Sequence, residues 1–189
     1  MVLTTERLLL EPITLPLVEA MLAGDRRAAE AAANAQLPEL WPGAALVERA
    51  FPAALERIRA DPETRLWGDR LLLLREPALG SATLAPRRQV IGSVVFHGHP
   101  RDTDGVAEVG YGVEPCSQGL GLATEGTQAC VKWALSQPGV HAVRATTFTW
   151  HRASLRVIEK LGMVQVDTRE HDLLGEMLVF EVRREKMVK

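Results

Sequence analysis

The segment EVGYGVEPCSQGLGLAT, residues 108–124, joins a short strand to a helix through a polar, glycine-rich turn. The strand breaks at Glu114-Pro115, and the helix is entered through residues 119–124. Small residues let main-chain N–H groups approach a ligand closely, and a helix start offers unpaired N–H donors with a positive dipole end. The segment therefore predicts a strand that holds an extended ligand, followed by main-chain donors that suit phosphate oxygens.

Two other phosphate-binding patterns do not fit this turn. A P-loop ends in Gly-Lys-Ser/Thr, and residues 118–124 contain no lysine. A dinucleotide fingerprint, G-x-G-x-x-G, needs a third glycine after Gly119 and Gly121, and this chain has Thr124 at that position. Glycines also serve ordinary turns and close packing, so a purely structural role for this turn stays open at this point.

Composition indicates one globular domain spanning residues 1–189. Hydrophobic residues make up 47% and charged residues 24% of the chain, and the net charge is −2. No basic field attracts nucleic acid, and no apolar run reaches the length that spans a membrane. The N-terminal residues acquire charges too early for a signal peptide. Two cysteines cannot form a disulfide framework, so we expect a cytoplasmic location.

Hydrophobic spacing and breakers predict the order of the elements. Strands are predicted at residues 5–12, 66–75, 89–96, 106–113, 140–149, 163–171 and 176–183. Helices are predicted at residues 15–23, 26–35, 44–60, 122–136 and 152–161, with a break or kink at Pro52. A long connection is predicted at residues 76–88. This order predicts an α/β (α+β) fold, in which helices flank a mixed sheet of about six or seven strands.

Three segments resemble the GNAT N-acetyltransferase superfamily. Gln118-x-x-Gly121-x-Ala123 is similar to its acyl-CoA pyrophosphate motif, Q/R-x-x-G-x-G/A. Residues 5–12, TERLLLEP, resemble the T-E-R-L-x-L-x-P opening of the RimJ/RimL branch, the ribosomal-protein N-terminal acetyltransferases. Residues 151–163, HRASLRVIEKLGM, resemble N-x-x-S-x-x-V-x-E-K-L-G-F, with histidine and methionine replacing the asparagine and the terminal aromatic residue.

The resemblance implies a GNAT fold whose sheet is splayed at the cofactor site, with acetyl-CoA as the acetyl donor. The pantetheine arm is expected to lie along residues 109–113 like an added strand, and the diphosphate on the N–H groups that follow. A splay or bulge at Gly110 or Gly112 would open the sheet for it. The implied cofactor contacts are Val109, Tyr111, Gly112, Val113, Gln118, Gly119, Leu120, Gly121, Leu122, Ala123, Thr124, His151 and Ser154.

Amide formation needs a neutral amine, and alkyl amines have a pKa of about 10, so a base must remove a proton. Glu108 is the candidate base, and a solvated strand carboxylate is the alternative. Ser154 is the candidate partner of the thiolate, or it satisfies the helix N-terminus. Strand N–H groups near Val113 are expected to stabilise the oxyanion. Tyr111, the single tyrosine, is expected to pack, so the tyrosine acid found in many GNAT enzymes is missing.

The sequence therefore predicts an N-acetyltransferase that acts on a primary amine, either a protein or peptide N-terminus or a small molecule. The alternative is a CoA-binding sensor or interaction module without turnover. The acceptor amine is the expected partner, without nucleic acid or membrane, in a monomer or homodimer. No metal is predicted, because His97 and His99 have no second ligand pair. Trp41 and Trp67 either line the acceptor pocket or belong to the core.

Overall fold

A computed structural model describes residues 1–39, 41, 51–75 and 88–184. The strands in these ranges are β1 (Leu3–Thr4), β2 (Leu8–Pro12), β3 (Asp69–Leu74), β4 (Val90–Phe96), β5 (Val106–Val113), β6 (Ala142–Phe148), β7 (Val164–His171) and β8 (Gly175–Arg183). The α-helices are α1 (Leu15–Leu22), α2 (Arg26–Ala33), α3 (Phe51–Ala60), α4 (Leu122–Ser136) and α5 (Arg152–Lys160). Most of the predicted connection at 76–88 and the first part of the predicted helix at 44–60 lie outside the described residues.

The described strands form one mixed sheet in the order β1-β2-β3-β4-β5-β6-β8-β7. The pair β5 and β6 is parallel, and every other pair of neighbours in this sheet is antiparallel. The α/β fold with a mixed sheet and flanking helices is thus confirmed. The described sheet has eight strands rather than the predicted six or seven, because the two-residue β1 folds back on β2.

Two predicted strand starts are wrong for local reasons. The strand predicted at residues 5–12 is β2 and begins at Leu8 rather than Thr5, because the Thr5 hydroxyl accepts a hydrogen bond from the Leu8 N–H (2.9 Å) and closes a turn. The strand predicted at residues 66–75 is β3 and begins at Asp69 rather than residue 66. A 3₁₀ helix occupies Pro62–Trp67, and the Asp61 carboxylate caps it by accepting from the Glu63 N–H.

Helices cover both faces of the sheet. On one face α4 and α5 pack against β2–β6, with Leu72 and Trp67 in that core. On the other face α1, α2 and α3 pack against β3, with Leu71 and Trp41 in the second core. Both tryptophans are 8% exposed, so they belong to the core rather than to an acceptor pocket. No helix in the described ranges combines the length and apolar character needed to cross a membrane.

A glycine allows β4 and β5 to approach closely where the cofactor site is expected. Gly92 has φ +152°, and a Cβ there would lie 2.1 Å from the Gly112 carbonyl oxygen. No other residue type fits this contact without moving the backbone of β5. One edge of β5 is thus paired with β4, and its other edge faces β6.

Candidate active site

The sheet opens between β5 and β6. The first three residues of β5 pair with β6, ending at the pair Glu108 and Arg144. From Val109 onward β5 pairs with β4 alone, whereas residues 145–148 of β6 pair with β8. We call the gap between residues 109–113 and residues 145–148 the β5–β6 opening. It is the splay that the family resemblance implied.

Main-chain groups of β5 point into this opening. The Glu108 carbonyl accepts from the His97 N–H (2.9 Å), and the Glu114 N–H donates to the Ile91 carbonyl (2.8 Å). Even-numbered residues of β5 therefore direct their main-chain polar groups toward β4. Because this direction alternates along a strand, the odd-numbered residues direct theirs into the opening.

Three predicted cofactor contacts, Val109, Tyr111 and Val113, have this second orientation. Gln118 closes the end of the strand, because its side-chain Nε2 donates to the Val113 carbonyl (3.2 Å). Gly112 differs, since it is an even-numbered residue of β5 and directs its main-chain polar groups toward β4 rather than into the opening. The β5 edge thus offers peptide groups to an extended ligand.

Residues 118–124, which we call the Gln118 loop, follow directly. Gly119 and Gly121 adopt φ +76° and +78°, in the left-handed region that favours glycine. Residues 118–121 are exposed, whereas Leu122 is buried and fixes the helix in the core. The predicted loop residues therefore lie together at the surface end of α4.

The start of α4 leaves main-chain donors free. Its first intrahelical bond runs from the Glu125 N–H to the Gly121 carbonyl (3.0 Å), so the N–H groups of Leu122, Ala123 and Thr124 have no intrahelical acceptor. The N-cap residue is Gly121, which has no side chain that could accept a hydrogen bond from these N–H groups. These donors and the positive end of the helix dipole suit an anion such as a diphosphate.

Glu108 lies where the opening begins. Its carboxylate accepts a hydrogen bond from the Thr146 hydroxyl (3.2 Å), which crosses from β5 to β6. Its side chain is half-buried, on the sheet face opposite α4, because alternate residues such as Val109 pack against the α4 core. On that same face a Cβ at Gly110 would lie 2.9 Å from His97 Nε2, so the imidazole covers the glycine.

A second carboxylate on this face was missed by the sequence analysis. Asp69 pairs with Val95, which in turn pairs with Gly110, so all three side-chain positions share one row across the sheet. Asp69 is 4% exposed, and burial raises its pKa to about 6 against a smaller lowering effect of Arg57. The sequence feature that could have indicated it is a carboxylate at the first position of a leucine-rich strand, DRLLLL.

Ser154 is buried in the first turn of α5, and its partner is Tyr111. The phenol oxygen lies 2.9 Å from Ser154 Oγ and 3.1 Å from the Ser154 carbonyl oxygen. The side chain of Tyr111 was predicted to pack and its main chain to contact the cofactor, so this contact of its hydroxyl was missed. Burial raises the pKa of Tyr111 and outweighs the Ser154 hydrogen bond, which lowers it. The phenol is therefore protonated at neutral pH.

His151, the histidine in place of the family's asparagine, occupies the N-cap position of α5. Its side chain makes no capping hydrogen bond, is exposed, and packs edge-on against Trp150. A contact of His151 with the pantetheine arm stays a prediction.

An exposed aromatic surface borders the opening. We define the aromatic rim as Phe148, Trp150 and His171. Phe148 stacks on Trp150 with ring centroids 5.2 Å apart, and His171 packs edge-on against Phe148. Trp150 is 58% exposed. Phe148 lies two residues beyond Thr146 on β6, so the rim is on the same sheet face as Glu108.

The chain matches the family model of the acetyltransferase (GNAT) domain over residues 7–164. The uncharacterised N-acetyltransferase YjdG of Bacillus subtilis (strain 168) is 25% identical over 162 residues, which cover 86% of this chain and 89% of YjdG. The ribosomal-protein-S5-alanine acetyltransferase of Vibrio fischeri superposes with a TM-score of 0.69 at 13% identity, covering 100% of both chains.

A further solved structure is RimL, a ribosomal L7/L12 alpha-N-protein acetyltransferase in complex with coenzyme A. It superposes with a TM-score of 0.62 at 11% identity, covering 97% of this chain and 98% of RimL. At these identities the two structural matches show a shared fold. The family match is independent of them and spans most of the chain, including the Gln118 loop. GNAT enzymes take acetyl-CoA as their acetyl donor, so that prediction is confirmed. The chain belongs to the GNAT acetyltransferase family and is an N-acetyltransferase.

Proposed function

We propose that this enzyme transfers the acetyl group of acetyl-CoA to a primary amine, a protein or peptide N-terminus or a small-molecule amine, by direct attack on the thioester. The observation that carries the proposal is the β5–β6 opening, where main-chain groups of β5 lie between the Glu108 carboxylate on one sheet face and the Ser154 hydroxyl on the face that α4 covers. Acetyl-CoA supplies the electrophile, an acetyl thioester.

The described residues fit an extended, anionic donor molecule. Peptide groups of Val109, Tyr111 and Val113 face the opening and suit the amides of a pantetheine arm. The Gln118 loop presents uncapped N–H groups next to that strand and suits a diphosphate. In this proposal the grip on the diphosphate comes from main-chain amides rather than from a cationic side chain.

Glu108 is proposed as the base that accepts the proton of the acceptor ammonium. The Thr146 hydroxyl holds one carboxylate oxygen, and the other is left to contact the amine or an intervening water. Because Glu108 is half-buried on the face away from α4, the amine approaches from that face. Asp69, on the same face, adds a buried acidic group toward which a cationic amine is attracted.

Ser154 is proposed as the hydrogen-bond donor to the departing thiolate. Tyr111 has one hydroxyl hydrogen, and when it donates to the Ser154 carbonyl or Oγ, the Ser154 hydrogen is free to turn toward the sulfur. A free thiol has a pKa near 8.5, so modest donation suffices for its departure. The N–H of Val113, which points into the opening, is proposed to stabilise the oxyanion.

The aromatic rim is proposed to contact the acceptor. Its rings lie on the same face as Glu108, and exposed aromatic faces attract cationic and apolar groups. This combination favours an acceptor that carries an apolar group close to its amine.

The test is thiol release from acetyl-CoA with a panel of ribosomal-protein N-terminal peptides, aminoglycosides and polyamines. We expect at least one class to give acetylated product with stoichiometric release of thiol. Binding of coenzyme A without release for any acceptor would contradict the proposal. That result would favour the alternative, a CoA-binding sensor or interaction module.

A further inference from the structure

The N-terminal segment makes one hydrogen bond to the Gln118 loop and three to Glu125, the residue of α4 that follows the loop. Arg7 NH1 donates to the Leu120 carbonyl (2.9 Å), and Arg7 Nε donates to Glu125 Oε2 (2.6 Å). The Arg7 N–H and the Thr5 hydroxyl both donate to Glu125 Oε1, at 2.9 and 2.6 Å. These residues come from the TERLLLEP opening and from α4, so the opening motif contacts the loop motif directly.

The bond from Arg7 fixes the orientation of one peptide group in the loop. In a planar trans peptide, the carbonyl of Leu120 and the N–H of Gly121 point in opposite directions. Arg7 holds that carbonyl, so the Gly121 N–H points away from Arg7. The peptide lies in an exposed loop between the left-handed Gly119 and Gly121, where backbone rotation is otherwise least restricted.

The same contacts neutralise a carboxylate in the first turn of α4. Burial alone would raise the pKa of Glu125, but hydrogen bonds from Thr5 and Arg7 and the positive charge of Arg7 lower it below its usual value. Glu125 is therefore ionised. Unpaired, this negative charge would oppose an anion at the helix start, and the Arg7 guanidinium cancels it.

We propose that Arg7, supported by Thr5 and Glu125, is a positioning residue that holds the Gln118 loop in its diphosphate-binding conformation. The N-terminal motif then sets the affinity for the donor without touching the reacting atoms. This inference rests on the proposed function, in which that loop binds the diphosphate of acetyl-CoA.

The test compares two acetyl donors in the variant Arg7→Met, which keeps the apolar stem and the main-chain hydrogen bond to Glu125 but removes the two hydrogen bonds of the guanidinium. Acetyl-CoA carries the diphosphate, and S-acetylpantetheine lacks it. We expect the KM for acetyl-CoA to rise roughly 10-fold, as one lost charge-assisted hydrogen bond suggests. The KM for S-acetylpantetheine and kcat at saturating acetyl-CoA should stay unchanged. Arg7→Lys keeps the charge but not the two-pronged geometry, so we expect an intermediate KM for acetyl-CoA.

Arg75→Met is the matched control. The Arg75 guanidinium donates to the carbonyls of Thr5 (2.6 Å) and Glu6 (3.2 Å), so it holds the same segment without contacting the Gln118 loop. We expect its KM for acetyl-CoA to match the wild type. Equal rises in KM for both donors in Arg7→Met, or equal effects of Arg7→Met and Arg75→Met, would overturn the proposal.

Calorimetric titration separates this inference from the proposed function. If the wild-type enzyme releases no thiol with any acceptor, the proposed function fails. Coenzyme A and pantetheine can still be titrated into wild type and Arg7→Met in that case. A roughly 10-fold weaker affinity for coenzyme A alone would support the role of Arg7, and an unchanged affinity for coenzyme A would refute it.

Discussion

Replacing Glu108 by glutamine should slow acetyl transfer without weakening donor binding. The amide keeps the size of the side chain and an oxygen that accepts from the Thr146 hydroxyl (3.2 Å in the wild type), so the β5–β6 contact survives. What is lost is the capacity to accept a proton. General bases contribute about 10²–10⁴-fold to rates, which corresponds to about 2.7–5.4 kcal/mol of activation free energy. We expect kcat to fall within that range.

The assay is thiol release at saturating acetyl-CoA and amine, measured as a function of pH. The defect in Glu108→Gln should shrink as the pH approaches about 10, because the free amine then needs no base. Glu159→Gln, which changes an exposed carboxylate on α5, is the control and should keep wild-type kcat. An unchanged kcat in Glu108→Gln near neutral pH would refute the assignment of Glu108 as the base.

Three further predictions concern other residues of the site. Ser154→Ala should lower kcat roughly 10-fold with unchanged KM for acetyl-CoA. Tyr111→Phe added to Ser154→Ala should lower kcat little further, because Tyr111 acts on the thiolate only through the Ser154 hydroxyl. Burial raises the pKa of Asp69 from 3.8 to about 6, so the folded state holds this proton more tightly and stability should fall by about 3 kcal/mol as pH rises through that interval. Asp69→Asn should abolish this fall in stability, measured by urea unfolding as a function of pH. Trp150→Ala should raise the KM for the amine severalfold and leave the KM for acetyl-CoA unchanged; equal changes in both would exclude the aromatic rim as an acceptor contact.

The elements nearest the site follow from local sequence signals. Glycines and a Glu-Pro break end β5 at Val113, and the small residues after Gln118 mark the start of α4. Gly162, with φ +70°, ends α5 where the sequence indicated. These features depend on residues adjacent in the chain, which is why a single sequence suffices to place them.

Contacts between segments that are distant in the sequence could not be predicted from such local signals. Asp69 shares a sheet face with Glu108 only because β3, β4 and β5 pair in one register. Tyr111 reaches Ser154 because α5 packs against β6 and α4, which brings its first turn close to β5, and nothing in the spacing of these two residues indicates that contact. Arg7 belonged to a recognisable motif, yet its contact with the Gln118 loop depends on the packing of α4 against β2.

The central claim is that main-chain amides at the start of α4 bind the diphosphate of the donor. A co-crystal structure with coenzyme A tests this claim most directly. We predict diphosphate oxygens about 3 Å from main-chain nitrogens of the Gln118 loop, with the pantetheine arm along Val109 and Val113. A diphosphate bound by cationic side chains elsewhere, with the loop nitrogens unoccupied, would contradict the account.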